Sequence, residues 1–381
     1  MSSRWIAAIC FICVGQALCS STDSQREFLK ISPAQNQLLK EECSNLNSHA
    51  GSVFKLLSGG LEENYDLFNF MVQIIHVKQK GDGKLDIVSI CSGAVISDIH
   101  IITAASCFDY EYNGIVNTPL SEFKIYGGSF CLYMNKKQAL YDNIVRKECP
   151  DVKSYSDQVL SIKPISLLIP MASVISNLHG IPFYGPYSDI AIFEVESLSN
   201  IPKNHDYDLI SPICIASPLM PERATPVYTI ASFGRRKEIL ESIKYNDGEN
   251  PINVRLNIEH EYNVHINKCP SSIHVEACKN IIIIEPDLPA AEGDNGSPVM
   301  VTFGKKHFLV GVLSARENVG PAYKKYILAT HITEFHRSIC NYTGICMLEN
   351  STDILSESEQ AILITKDDDG KSVFGNGTSI F

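Results

Sequence analysis

Short runs of apolar residues, separated by turn-forming residues, recur along the chain between about residues 56 and 340. The runs are rich in Ile, Val, Phe and Tyr, residue types that favour β-strands, and their lengths are those of strands. The runs that predict strands are 70–77, 87–96, 159–169, 189–195, 227–233 and 308–313. Helical periodicity is scarce, with one candidate at 332–339. Many short strands with irregular connections predict an all-β sandwich or barrel.

The first residues have the pattern of a secretion signal. Arg4 precedes an almost wholly apolar stretch from Trp5 to Leu18, and small residues precede Ser20. A membrane anchor is the alternative interpretation, but the 14 residues of this stretch are too few to span a bilayer comfortably. We therefore expect a signal peptide at 1–19, a secreted protein, and no membrane span once the signal is removed.

Two polar segments flank the strand-rich region. Residues 20–55 form a leader that contains one cysteine, Cys43. The segment 347–381 carries seven acidic residues against two lysines and is rich in Ser, Thr and Gly. That composition predicts a largely disordered, solvated tail.

Four Asn-x-Ser/Thr sequons are candidates for N-glycosylation in a secreted chain. Asn341, Asn350 and Asn376 lie near or within the predicted tail, where we expect glycans. Asn295 lies within a motif described below, and Pro298 follows its Ser297. We expect Asn295 to be unmodified.

Cysteine and charge narrow the possible functions. Of 13 cysteines, three lie in the predicted signal, and the even number that remains favours five disulfides in an oxidising compartment. Neither Cys-x-x-Cys pairs nor His-x-x-x-His spacings occur after the signal, so we predict no metal site and no cofactor. The net charge is −11 and the longest basic run is 235–237, which argues against nucleic-acid binding.

Three separated segments resemble, in order, the motifs of the chymotrypsin/trypsin-like serine proteases. The first is Cys91-Ser-Gly-Ala-Val-Ile-Ser with Ile102-Thr-Ala-Ala-Ser-Cys107; the second is Ser188-Asp-Ile-Ala-Ile; the third is Gly293-Asp-Asn-Gly-Ser-Pro. The resemblance covers about residues 56–340. It implies two six-stranded antiparallel β-barrels, at about 56–200 and 215–340, with a short C-terminal helix. The leader then resembles a light chain.

The family's chemistry requires a hydroxyl nucleophile, an imidazole base and a carboxylate that orients the base. By the resemblance, Asn295 stands at the nucleophile position, Ser106 at the base position and Asp189 at the carboxylate position. An amide is not a nucleophile, and a serine hydroxyl cannot take up a proton near neutral pH. The backbone N–H groups of Gly293 and Asn295 correspond to the oxyanion hole, which this substitution leaves in place.

The resemblance also indicates an altered specificity pocket. Pro289 stands at the position of the pocket base, so no carboxylate is available there for a Lys or Arg side chain. Ala291 replaces the first cysteine of the bridge that frames the pocket, and the strand after Ser314 lacks the second. We therefore expect a specificity pocket whose walls are not held by a disulfide.

The resemblance implies a pairing for the ten remaining cysteines. One bridge ties the leader to the linker between the barrels, one closes the first motif, one lies in an insertion, one precedes the third motif and one pins the terminal helix. In that order the pairs are Cys43–Cys214, Cys91–Cys107, Cys131–Cys149, Cys269–Cys278 and Cys340–Cys346.

Activation by cleavage has weak sequence support. The family inserts a newly formed N-terminus against the acidic residue before the nucleophile, and here that residue is Asp294. The nearest candidate cleavage site follows Lys55, one residue out of register with the usual motif. If the chain is not cut there, Asp294 requires another partner.

We therefore expect a secreted, inactive serine protease homologue, not an enzyme, that binds an extracellular protein and regulates extracellular proteolysis or defence. The chain also resembles an expanded group of nematode trypsin-like proteins with long inserted loops and substituted triads. One alternative is an active serine endopeptidase with a rearranged site. Another is a structural glycoprotein in which the acidic tail is the functional part.

Overall fold

The computed structural model describes residues 26–44, 68–79, 85–108, 119–128, 160–170, 173, 188–200, 210–218, 227–234, 256–261, 264–266, 278–285, 293–303, 306–314, 327–348, 361–366 and 372–376. The predicted signal peptide and the candidate cleavage site after Lys55 lie outside these residues. The same holds for Pro289, for Asn350 and for the predicted pair Cys131–Cys149.

The first sheet contains most of the N-terminal strands. They are β1 Met71–Gln79, β2 Leu85–Ser97, β3 His100–Thr103, β4 Phe123–Gly127, β5 Leu160–Ile162, β6 Pro164–Pro170 and β7 Ala191–Val195. All neighbours are antiparallel, in the order β6-β7-β3-β2-β1-β4-β5. Only Lys163 separates β5 from β6, while β5 pairs with β4 and β6 pairs with β7. Counted as one bent strand, β5 and β6 pair with β4 on one side and with β7 on the other. The set then has six strands, and the sheet curls.

The second sheet has the same plan. Its strands are β8 Cys214–Ile215, β9 Tyr228–Ser232, β10 Asn257–Glu261, β11 Val264–Ile266, β12 Ile281–Ile284, β13 Pro298–Phe303, β14 Lys306–Ser314 and β15 Ile327–His331. The order is β10-β9-β13-β14-β15-β12-β11, with β8 parallel to β14. Two residues separate β10, which pairs with β9, from β11, which pairs with β12. The all-β prediction with two six-stranded antiparallel sets is confirmed.

Apolar burial explains why these segments are strands. All five residues of β7 and of β9 are buried, as are the four isoleucines of β12. β-branched side chains pack well on a pleated surface, and strands covered on both faces are apolar throughout. The largest buried cluster includes Phe70, Phe193 and Phe233, and it joins residues of both sheets into one core.

The tail differs from the prediction. β16 Ala361–Lys366 and β17 Ser372–Asn376 form a hairpin, and β16 pairs antiparallel with β6. Ala361, Leu363 and Ile364 are buried, so the prediction of a disordered tail is wrong for these two segments. The acidic composition of 347–381 concealed a short apolar run, Ala361-Ile-Leu-Ile, long enough to extend a sheet.

Two α-helices lie outside the sheets. Helix α1, Pro33–Glu42, begins with a capping box in which Ser32 and Gln35 each bond the other's backbone N–H. Helix α2, His336–Thr343, follows the short 3-10 helix Ile332–Phe335 and ends at Gly344, whose φ is +76°. The C-terminal helix predicted from 332–339 is confirmed. Neither described helix has the length and apolarity that crossing a bilayer requires.

Candidate functional site

A buried carboxylate lies at the junction of the two sheets. Asp189 precedes β7 and is 2% exposed. Its Oδ1 accepts a hydrogen bond from the Ser106 backbone N–H at 2.6 Å, and its Oδ2 accepts one from the Ser314 hydroxyl. Its own backbone N–H donates to Thr330 Oγ1 at 2.8 Å. Since Ser314 ends β14 and Thr330 lies in β15, the second sheet holds a carboxylate that the first sheet presents.

Ser106 lies in a short 3-10 helix, Ala105–Cys107, which directly follows β3. The disulfide Cys91–Cys107 fixes this turn against β2. Ser106 therefore contacts Asp189 through its backbone, whereas its buried Oγ has no hydrogen-bond partner among the described residues. The structure brings the predicted base and carboxylate positions together, but the serine hydroxyl at the base position cannot accept a proton near neutral pH.

Asn295 lies in a tight turn between two glycines with left-handed backbone. Gly293 has φ +100° and Gly296 has φ +82°. A Cβ on Gly296 would stand 2.2 Å from the Ser92 carbonyl oxygen, so only glycine fits this position. The Asn295 Oδ1 is buried without a described hydrogen-bond partner.

Ser92 holds the Asn295 turn against the first sheet. Its hydroxyl donates to the Gly293 carbonyl at 2.8 Å and accepts from the Phe233 N–H at 2.8 Å. Its backbone N–H donates to the Asn295 carbonyl at 2.8 Å. Sequence reasoning missed this role, although the signal was present: Ser92 stands where the family motif has glycine. The turn is thereby fixed in one conformation.

The predicted oxyanion-hole donors lie in this turn. Within the described part of the chain, the N–H groups of Gly293 and Asn295 form no backbone–backbone hydrogen bond. The adjacent N–H of Gly296 donates to the Leu313 carbonyl at 2.8 Å, and Ser297 N–H donates to Asp294 O at 3.0 Å. Together with the Ser92 contacts, these bonds hold the turn that carries both donors.

Asp294 has a partner that belongs to the second sheet. The Ser232 hydroxyl donates to Asp294 Oδ1 at 2.7 Å. Gly234 packs so closely that a Cβ there would lie 1.6 Å from the same oxygen. The uncut chain thus supplies a hydrogen-bond donor to Asp294, which answers the requirement raised by the doubtful cleavage site.

None of the described histidine side chains reaches this site. Each of the six forms a polar contact with a group away from Ser106, Asn295 and Ser297. The contacts are His76 with Glu122, His100 with Ser97 and Leu29, His265 with Glu285, His307 with Thr302, His331 with Thr333, and His336 with Thr333. The described residues also contain no cluster of His, Cys, Asp and Glu suited to a metal ion.

His100 fixes the leader to the first sheet. Its Nε2 donates to the Leu29 carbonyl at 2.8 Å, its Nδ1 accepts from the Ser97 hydroxyl at 2.8 Å, and Phe28 stacks on its ring at 5.3 Å. Burial lowers the pKa of His100 to about 4, and the bond to Leu29 opposes that shift. The neutral imidazole therefore acts here as a structural group.

A charged pair reinforces the same contact. Arg26 in the leader bonds the fully buried Glu194 carboxylate at 2.7 Å, and the Ser166 hydroxyl donates to the same carboxylate at 2.7 Å. The leader is thus joined to β3 and β7 of the first sheet at one end and, through the Cys43–Cys214 disulfide, to β8 of the second sheet at the other.

Three of the five predicted disulfides are confirmed. They are Cys43–Cys214, Cys91–Cys107 and Cys340–Cys346. Cys278 is also disulfide-bonded, while Cys269, its predicted partner, lies outside the described residues. Bridges of this kind are typical of oxidising compartments.

A search against protein-family models found no match for the chain, and a search of curated proteins found none either. Two curled antiparallel sheets with a C-terminal helix are consistent with the double-barrel, trypsin-like fold.

Proposed function

We propose that the chain is a secreted, catalytically inactive homologue of the trypsin-like serine proteases, and that it acts by binding an extracellular protein. The observation that carries the proposal is the environment of Asp189. Its carboxylate is buried and bonded to Ser106 N–H and the Ser314 hydroxyl, yet the residues at the base and nucleophile positions are Ser106 and Asn295. The hydrogen bonds that hold the carboxylate position are present, while the nucleophile and the base are both replaced.

The same site supports a binding role. The N–H groups of Gly293 and Asn295 are held by the Ser92 contacts and are available to a carbonyl oxygen of an extended peptide. A donor pair without a nucleophile binds a peptide carbonyl and does not attack it. The sequence between Ser106 and Asp189 includes a long insertion, and inserted loops on such scaffolds commonly contact partners.

The secreted state rests on the signal sequence and on the disulfides. Three described bridges hold the leader, the first motif and the end of α2. Together with the apolar stretch 5–18, they favour an oxidising, extracellular environment.

The alternative function is a serine hydrolase with a rearranged site. The observation in its favour is that the hydroxyls of Ser106 and Ser297 are buried near the site without described hydrogen-bond partners. Activation of either hydroxyl requires a base. The described histidines are engaged elsewhere, which favours the binding role.

The two functions differ in what happens to a bound protein. We would immobilise the purified full chain, capture proteins from the native secreted mixture, and follow the captured proteins by mass spectrometry during prolonged incubation. The proposal predicts a reproducible partner that stays intact. New cleavage products that disappear in the matched variant Asp189→Asn would overturn it in favour of the hydrolase, since that substitution removes the only remaining triad group.

A further inference from the structure

An apolar cavity of about 330 Å³ lies away from the candidate site, between helix α1, strand β8, the second sheet and the segment after α2. Its walls include Leu39 of α1, Ile215 of β8, Phe303 and Phe308 of the second sheet, and Met347. The volume is about twice that of the ~150 Å³ engineered apolar cavity that binds benzene. It therefore accommodates a hydrocarbon of roughly a dozen carbon atoms.

Disulfides fix the walls of the cavity to one another. Cys43 and Cys214 line the cavity and are bonded to each other, so α1 is fixed against β8. The bridge Cys340–Cys346 fixes the chain on both sides of Ile345, another lining residue. Phe303 is 40% exposed and borders the cavity. The cavity is thus built into the covalent framework and opens to solvent beside an exposed aromatic ring.

Positive charge lies at one side of the cavity. Lys40 is a lining residue. The Lys306 ammonium lies 3.0 Å from the Lys40 carbonyl and 2.6 Å from that of Glu41, at the C-terminal end of α1. Neither lysine forms an ion pair with a described carboxylate. In a chain of net charge −11, a lysine in the cavity lining, with a second lysine bonded to its carbonyl, favours an anionic head group over a cationic one.

We propose that this cavity binds a medium-chain amphiphile, with its hydrocarbon chain between Leu39, Ile215 and Phe308 and its carboxylate beside Lys40 and Lys306. Both parts of the ligand follow from the site. The apolar lining favours a hydrocarbon because burial removes apolar surface from water. The ammonium groups favour a carboxylate over an ammonium head of the same chain length. The proposal is independent of the function assigned to the Asp189 site.

The test uses decanoate below its micellar concentration and the full chain with intact disulfides, measured by titration calorimetry. Leu39→Trp fills the cavity from α1, whereas Leu38→Trp is the matched control because Leu38 is 54% exposed on the same helix. We expect decanoate to bind, Leu39→Trp to weaken binding by at least about tenfold, and Leu38→Trp to leave it within about twofold. Decylammonium should bind more weakly than decanoate.

Three results would overturn the proposal. They are an absence of decanoate binding to the wild type, equal losses in Leu39→Trp and Leu38→Trp, and decylammonium binding as tightly as decanoate. If Leu39→Trp instead changes the oligomeric state, a second copy of the chain covers the cavity and the proposal is also wrong. Lys40→Glu provides a variant that leaves the apolar packing unchanged, and it should weaken decanoate binding without weakening decylammonium.

Discussion

Among the described residues, a hydroxyl and a backbone N–H hold the carboxylate of Asp189, at the position where the trypsin-like family has an imidazole beside it. The Ser314 hydroxyl and the Ser106 N–H supply its described hydrogen bonds in a buried environment. We expect Ser314→Ala to lower the free energy of unfolding by about 2 kcal/mol, because a hydrogen bond to a buried charged group is lost. Chemical denaturation followed by intrinsic fluorescence measures this change.

Ser199→Ala is the matched control for that measurement. The Ser199 hydroxyl also donates to a carboxylate, Asp98 Oδ1, but the pair is exposed to solvent. We expect a change of less than about 0.5 kcal/mol, since water replaces the lost donor. Equal effects in the two variants would contradict the role assigned to the buried carboxylate.

His100 should make stability depend on pH. In the folded chain burial lowers the pKa of His100 from 6.5 to about 4. Between these values the unfolded chain binds a proton that the folded chain excludes, so stability falls as pH decreases from 6.5 to 4. The loss approaches about 3 kcal/mol below pH 4 and is absent above pH 6.5.

The measurement is urea denaturation of the wild type and of His100→Gln at pH 7.5 and pH 4.5. Carboxyl groups elsewhere in the chain also titrate in this pH range. Glu194, which lies opposite His100 in β7 and bonds Arg26, is present in both proteins. The informative quantity is therefore the difference between the stability lost by the wild type and that lost by the variant. We expect the variant to lose less stability than the wild type on acidification. Parallel losses would show that His100 is not the group responsible.

At the scale of elements, the tail hairpin extends the first sheet beyond the six strands that the resemblance implied. Ile364 of β16 is fully buried opposite Leu167 of β6. We expect Ile364→Ala to cost 2 to 5 kcal/mol, a rough range for a core isoleucine. The partly exposed neighbour Thr365 is the control, and Thr365→Ala should cost less than about 1 kcal/mol. Denaturation curves that are unchanged by Ile364→Ala would mean that the hairpin is not packed on the sheet.

The hairpin also limits the experiment that removes the tail. Deleting every residue after Cys346 would expose the edge of β6 and the surface that Ala361, Leu363 and Ile364 cover. An unpaired, apolar sheet edge favours aggregation. A loss of partner binding after that deletion therefore does not by itself assign the partner to the tail, whereas the single substitution Ile364→Ala separates packing from recognition.

Sequence patterns predicted the elements with strong local signals. The apolar runs at 189–195 and 227–233 contain the strands β7 and β9, and the helix predicted at 332–339 corresponds to the 3-10 turn and α2. Helix α1 was missed because only Leu38 and Leu39 are apolar between Pro33 and Glu42, apart from one alanine. Its start was nonetheless encoded, since Ser32 and Gln35 form a capping box and Pro33 occupies the first helical position. The tail strands were missed because the acidic composition of 347–381 predicted disorder, and the one short apolar run within it was given no weight.

At the scale of the whole molecule, the motifs predicted that Ser106, Asp189 and the Asn295 turn lie close together, although they are far apart in the sequence. The long-range hydrogen bonds of Ser92, Ser232 and Thr330 could not be predicted from the sequence. Hydroxyl contacts of this kind depend on how two sheets are placed, and no local pattern encodes that placement. The same limit applies to the leader, whose attachment through Arg26 and His100 follows only from the packed structure.

We propose that the molecule retains the scaffold of a serine protease and lacks its reacting side chains. The most direct measurement is covalent labelling by a serine-reactive fluorophosphonate, with mass spectrometry to locate the label. We would compare the wild type, the single variants Ser106→His and Asn295→Ser, and the double variant. The proposal predicts that the double variant is labelled at position 295 and that the wild type is not labelled. Labelling of any serine in the wild type would contradict it.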